Sequence, residues 1–76
     1  MIEFSQLVDA MRTTFGRDDL VVDRDTVASE VPGWDSLSHV WLMLEIENVF
    51  GVQIGADENL PNVGALFDLI VQRSAQ

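Results

Sequence analysis

Cysteine is absent from this chain of 76 residues, and so is lysine. Without cysteine there is no disulfide framework, no thiolate zinc site and no nucleophilic sulfur. Without lysine the only fixed cations are 4 arginines, set against 13 Asp and Glu, for a formal net charge of −9. So acidic a surface repels phosphate backbones and anionic lipid head groups, which argues against nucleic acid and membranes as partners and in favour of a basic patch on another protein. No apolar run reaches membrane length and no basic leader precedes an apolar stretch, so a cytoplasmic address is the expectation and membrane insertion is not. Histidine occurs once, at His39, and no internal repeat or low-complexity tract is present.

What the chain does have is apolar residues in helical register. At 47% apolar, residues 1–76 suffice for one small core, near the size at which a core alone becomes marginal, and read as a single domain. Phe4, Leu7, Val8, Met11 and Phe15 recur at the i, i+3, i+4, i+7 and i+11 spacing of one helical stripe, and Gly16 supplies the stop. From Arg17 to Asp35 the periodicity gives way to turn chemistry in Asp18-Asp19, Asp23, Asp25-Thr26 and Pro32-Gly33, with a short helical turn expected at Thr26 to Ala28. Leu20, Val21, Val22 and Val27 are available to pin this segment onto the core. So long a connection in so small a domain is expected to have a function.

A second helix is predicted from Asp35 or Ser36 to Phe50, with Asp35 as N-cap and Gly51 ending it in a left-handed conformation. Val52 to Ile54 reads as an extended connector, and Asp57-Glu58-Asn59-Leu60 as a single helical turn before Pro61. Asn62 can cap a last helix whose stripe is Val63, Leu66, Phe67 and Ile70. The expected fold is all-α, a small four-helix bundle of three main helices plus one short helix, with a long loop between the first two. The acidic pairs Asp18-Asp19 and Asp57-Glu58 lack the spacing and central glycine of a calcium loop and read as solvated charge, so no metal site is expected.

The second helix carries two apolar stripes when wound at about 100° per residue. His39, Leu42, Met43, Ile46, Val49 and Phe50 fall on one side, and Leu37, Val40, Trp41 and Leu44 opposite. A bundle of this size has too few elements to cover both. The 42/46/49/50 side is assigned to the core because it continues to the helix end, and the 37/40/41/44 side to a partner surface that starts one residue from Ser36. The competing arrangement folds Trp41 under the long loop as a satellite core residue. His39 projects toward the core stripe with no carboxylate oriented behind it, and is expected to line the core or a pocket rather than to act as a base on Ser36.

Ser36 itself lies in Gly33-Trp34-Asp35-Ser36-Leu37, so its hydroxyl is expected to be exposed at a helix N-terminus, where unpaired N–H groups and the peptide dipoles stabilise an anion. This stretch, with Ser38 to Ile54 after it, resembles the acyl and peptidyl carrier proteins, whose signature is Asp-Ser-Leu at the start of a helix. The resemblance implies a covalent 4'-phosphopantetheine arm on Ser36, whose thiol holds acyl or aminoacyl groups as thioesters. It implies a carrier with no catalytic residues of its own, acting as a monomer. Expected partners are a phosphopantetheinyl transferase, a loading ligase and downstream acyl-processing enzymes, docking on the second helix around Asp35, Leu37, Val40, Trp41 and Leu44. Ser38 and Trp41 depart from the family pattern, since those positions are commonly acidic in carriers of general fatty acid synthesis; Glu45 and Glu47 remain further along. Specialised partners in a lipid, polyketide or peptide pathway are therefore expected, with the cargo open among fatty acyl, polyketide and aminoacyl groups. Two other readings stand beside this one: an unmodified acidic module docking through the same face, and a hydrolase using Ser36 and His39.

Overall fold

In a computed structural model, residues 2–54 and 60–74 are described. They form three α-helices, α1 (Phe4–Phe15), α2 (Ser36–Phe50) and α3 (Val63–Ser74), with a single 3-10 turn at Ala28–Glu30. The turn lies just beyond the expected Thr26 to Ala28, because Val27 N–H donates to Glu30 Oε1 at 2.9 Å and Glu30 N–H to the Val27 carbonyl, so the turn opens after Val27. Of the turn expected at Asp57 to Leu60, residues 57–59 lie outside the described residues. No helix among the described residues is long and apolar enough to cross a membrane.

Each helix is set by its own sequence. Glu3 N–H donates to Gln6 Oε1 at 2.7 Å at the start of α1, which ends as expected at Gly16 with φ 66°. Leu7 and Met11 are buried, Ala10 joins them, and Phe4 and Phe15 pack at the edges, Phe4 edge-on to Phe67 with ring centres 5.4 Å apart. On α2 the buried residues are Leu42, Met43 and Ile46, with Phe50 packed beside them. Val49, expected in the core, is instead 49% exposed. It sits on the edge of the stripe, roughly 60° around the helix from Ile46, and burial is skewed to the opposite side, where Met43 is buried. Val63, Leu66 and Ile70 of α3 complete the core, which has no buried polar or charged residue among the described ones.

The long loop is tied down at three places. Arg12 Nε donates to the Leu20 carbonyl at 2.9 Å, holding the buried Leu20 against α1. Asp23 organises the middle, accepting from Asp25 N–H and from the Thr26 hydroxyl on one carboxylate oxygen, so that a tight turn presents the carbonyls of Arg24 and Thr26 outward. Those carbonyls accept from Gly64 N–H at 2.9 Å and Val63 N–H at 2.8 Å, while Asn62 Oδ1 accepts from Ala65 N–H at 2.8 Å. The first amides of α3, which no helix can satisfy internally, are thus satisfied by the loop and the expected Asn62 cap. The approach is so close that a Cβ on Gly64 would sit 2.9 Å from both Cβ and O of Arg24, and Arg24 adds an ion pair to Asp68 at 2.8 Å. Val22 packs on the core, but Val21 points to solvent at 84% exposure, contrary to expectation. In a strand-like segment, adjacent side chains face opposite ways, and the burial of Leu20 and Val22 turns Val21 outward. Val31, not singled out from the sequence, is buried at the end of the 3-10 turn.

Past α2, Gly51 adopts φ 68° as expected and the connector folds back along the helix. Glu47 Oε2 accepts from Ile54 N–H at 2.9 Å, and Val52 and Ile54 are buried on either side of exposed Gln53.

Candidate functional site

The loop ends in a turn built for a sharp change of direction. Gly33 has φ 87°, a left-handed conformation that a side chain would strain, and Trp34 N–H closes the turn onto the Val31 carbonyl at 3.1 Å. Asp35 follows in extended backbone and caps α2 as expected: its Oδ1 accepts from Ser38 N–H at 2.9 Å and its carbonyl from His39 N–H at 2.8 Å. The hydrogen bond from Ser38 N–H holds the Asp35 carboxyl below the ordinary carboxylate range. Ser36 is therefore the first residue of α2, with an exposed side chain at the positive end of the helix.

Trp34 and His39 meet across this helix start. Their rings stack 15° from parallel with centres 6.2 Å apart, and Trp34 Nε1–H donates to His39 Nδ1 at 3.2 Å. Phe15, at the end of α1, also packs against the indole, with ring centres 5.8 Å apart. Trp34 directly precedes the cap and His39 is the fourth helical residue, the two positions that commonly staple a helix entry by side-chain contact. That spacing was the signal available in the sequence for a pairing that went unread there. The consequence is that the end of the loop is fixed to both α1 and α2.

Between the loop and α2 lies an open cleft of about 570 Å³ lined by Ala28, Trp34, Asp35, Ser36, His39 and Val40. It has apolar walls, one imidazole and the Ser36 side chain at its edge, and so suits a flexible ligand of mixed character attached at Ser36. A smaller groove of about 310 Å³ on α1 and the loop, between Phe4 and Val22, shares no residue with it.

The opposite stripe of α2 is exposed, with Leu37 at 68%, Val40 at 42%, Trp41 at 61% and Leu44 at 58%. Trp41 is thus not a satellite core residue; the tryptophan that packs against the core is Trp34. No residue from Ser36 to Leu44 is charged. Glu45 is half-buried and Glu47 is committed to the Ile54 amide, so neither of the acidic residues expected to remain for docking is a freely exposed charge.

The site has no hydrolytic arrangement. A histidine acting as base on a serine donates its second N–H to an orienting carboxylate. Here His39 Nδ1 accepts from an indole instead, the reverse polarity. No group of His, Asp and Glu able to hold a metal occurs among the described residues.

No protein-family model matches the chain, and no curated protein does. A solved structure does match: the solution NMR structure of the holo acyl carrier protein from Geobacter metallireducens superposes with a TM-score of 0.88 at 34% identity, over 99% of this chain and 88% of that one.

Proposed function

The chain belongs to the acyl carrier protein family, whose members carry rather than catalyse, and on that premise we propose that Ser36 bears a 4'-phosphopantetheine arm. The observation that carries the proposal is the exposed Ser36 hydroxyl at the first position of α2, behind an aspartate cap and beside a cleft. When attached, the arm supplies the thiol that this cysteine-free chain lacks, and with it the capacity to hold acyl or aminoacyl groups as thioesters. The chain's own contribution is positional. Asp35 fixes the start of α2 through Ser38 N–H, the Trp34–His39 pair fixes the loop on one flank, and the Ser36 hydroxyl is left accessible to a transferase that brings coenzyme A.

Partners, by this proposal, dock on the face formed by Leu37, Val40, Trp41 and Leu44, with Asp35 at its edge. An uncharged stripe with a tryptophan at its centre fits an apolar pocket better than a basic groove, because a cationic groove laid against it would lose water without gaining a counter-charge. This supports specialised enzymes of a lipid, polyketide or peptide pathway, working in the cytoplasm, over those of general fatty acid synthesis.

Intact mass after incubation with coenzyme A and a broad-specificity phosphopantetheinyl transferase tests the attachment. Wild type gains one arm. Ser36→Ala gains none and keeps its helical circular dichroism, because Asp35 still caps α2. An alanine variant that still gains the arm puts the attachment elsewhere, and one that unfolds makes Ser36 a structural residue.

A further inference from the structure

The cleft beside Ser36 brings together the indole of Trp34, the imidazole of His39 and the side chains of Ala28 and Val40. Because Trp34 Nε1–H donates to His39 Nδ1, that nitrogen carries a lone pair, and the neutral ring bears its proton on Nε2. Nε2 has no partner among the described residues. The cleft therefore offers one N–H donor of fixed tautomer between largely apolar walls, and Ser36 forms part of its edge.

Resting on the reading that Ser36 carries the arm, we infer that this cleft is a berth for the arm's proximal segment: Trp34, Ala28 and Val40 take its branched methyls, and His39 Nε2–H donates to the neighbouring hydroxyl or amide carbonyl. The carbon bearing those methyls lies one methylene beyond the phosphodiester, so it is the part of the arm that reaches these walls without doubling back. The phosphate stays toward solvent, because the Asp35 carboxylate lines the same cleft and is kept ionised by Ser38 N–H. Val40 belongs both to the cleft and to the exposed stripe. An arm seated there leaves the protein along the docking face, and a partner on that face meets it on the way out. His39 is in this sense a positioning residue, set by Trp34.

The test compares apo protein with holo protein by NMR, the arm being confirmed by intact mass. In holo protein the arm methyls give nuclear Overhauser contacts to the Trp34 ring and the Val40 methyls, and the His39 Nε2 resonance moves from its apo position. His39→Phe keeps a ring against Trp34 but has no donor, and the ratio of berthed to free arm falls about fivefold, the factor a typical net hydrogen bond supplies. His39→Gln, which restores an N–H, recovers part of it. Val40→Asp, at a position 42% exposed, abolishes the methyl contacts because a hydrated carboxylate replaces an apolar wall, and keeps the test available should His39→Phe fail to fold. Arm resonances at the shifts of free pantetheine, with no contact to these residues, overturn the berth while leaving the attachment standing. Undiminished contacts in His39→Phe overturn the donor role. A wild-type chain that gains no mass sinks the attachment, and the berth with it.

Discussion

Gly64→Ala separates local from tertiary control of this fold, because the two predict opposite signs. In isolation, alanine for glycine near the start of a helix is favourable by up to about 1 kcal/mol. In the structure a Cβ at position 64 would meet Arg24 Cβ and O at 2.9 Å and Arg24 Cα at 3.3 Å. Backbone atoms are among those contacts, so no side-chain rotation relieves them, and the Gly64 N–H bond to the same Arg24 carbonyl must lengthen or break. Overpacking of this kind costs about 1–3 kcal/mol, so the net expectation after the propensity gain is a loss of up to about 2 kcal/mol. For a domain of this length that corresponds to a melting temperature lower by up to roughly 15 °C. Urea unfolding followed by circular dichroism measures the loss, and hydrogen exchange locates it: the amides of Val63 and Gly64 should exchange faster, while those of Leu42 and Ile46 change only with global stability. The distant end of the loop gives a further check, since Trp34 fluorescence, read in a Trp41→Phe background, should stay native-like if the staple and the Ser36 flank are independent. A more stable Gly64→Ala protein would refute the reasoning, showing that the loop backbone moves aside and helix propensity decides.

Ile46→Ala should lose about 2–5 kcal/mol in urea melts, because Ile46 is fully buried, whereas Leu44→Ala, more than half exposed, should cost under about 1 kcal/mol; equal losses would abolish the division of α2 into core and docking faces. Trp41→Glu should leave loading and melting temperature near wild type, weaken an apolar-pocket partner in binding titrations, and improve binding to an enzyme with a basic docking site; unchanged affinity for the first partner would remove Trp41 from the interface. The Asp35 carboxyl is held low by Ser38 N–H, so its contribution to stability is complete above the ordinary Asp range and is lost as pH falls through the lowered folded value. Asp35→Asn lacks that titration, and its urea midpoint should converge on that of wild type between about pH 7 and about pH 3; parallel curves would show that the cap carries no pH dependence.

The exposed α2 stripe bears on selectivity among partners. A carrier recognised by charge can be attracted from a distance and reoriented on a basic surface, whereas one recognised by Leu37, Trp41 and Leu44 must be matched in shape before it gains anything. The net charge of −9 still favours encounter with cationic proteins in general. In the proposed mode of docking, encounter falls to the acidic loop and final docking to the apolar helix face.

Features governed by residues a few positions apart were legible in the sequence. The stripe through Leu7 and Met11, the Asp35 and Asn62 caps, the glycine stops and the exposed Ser36 all follow from helical periodicity and from the unpaired amides of a first turn, which any sequence must satisfy locally. The double apolar character of α2 was readable for the same reason, as was the surplus stripe, since so short a chain cannot cover both faces. What the tertiary structure alone decided lies where distant segments meet: Val31 buried while Val21 is exposed, Val49 turned out of the core, and Arg24 packed so closely on α3 that position 64 has room only for glycine. Trp34, a residue of the loop, was assigned to the ground that Trp41 then did not need, because the direction of an aperiodic segment depends on which distant carbonyls and rings it finds. The staple spacing of Trp34 and His39 permits their pairing, but no spacing rule brings Ala28 of the loop to the same cleft beside Ser36.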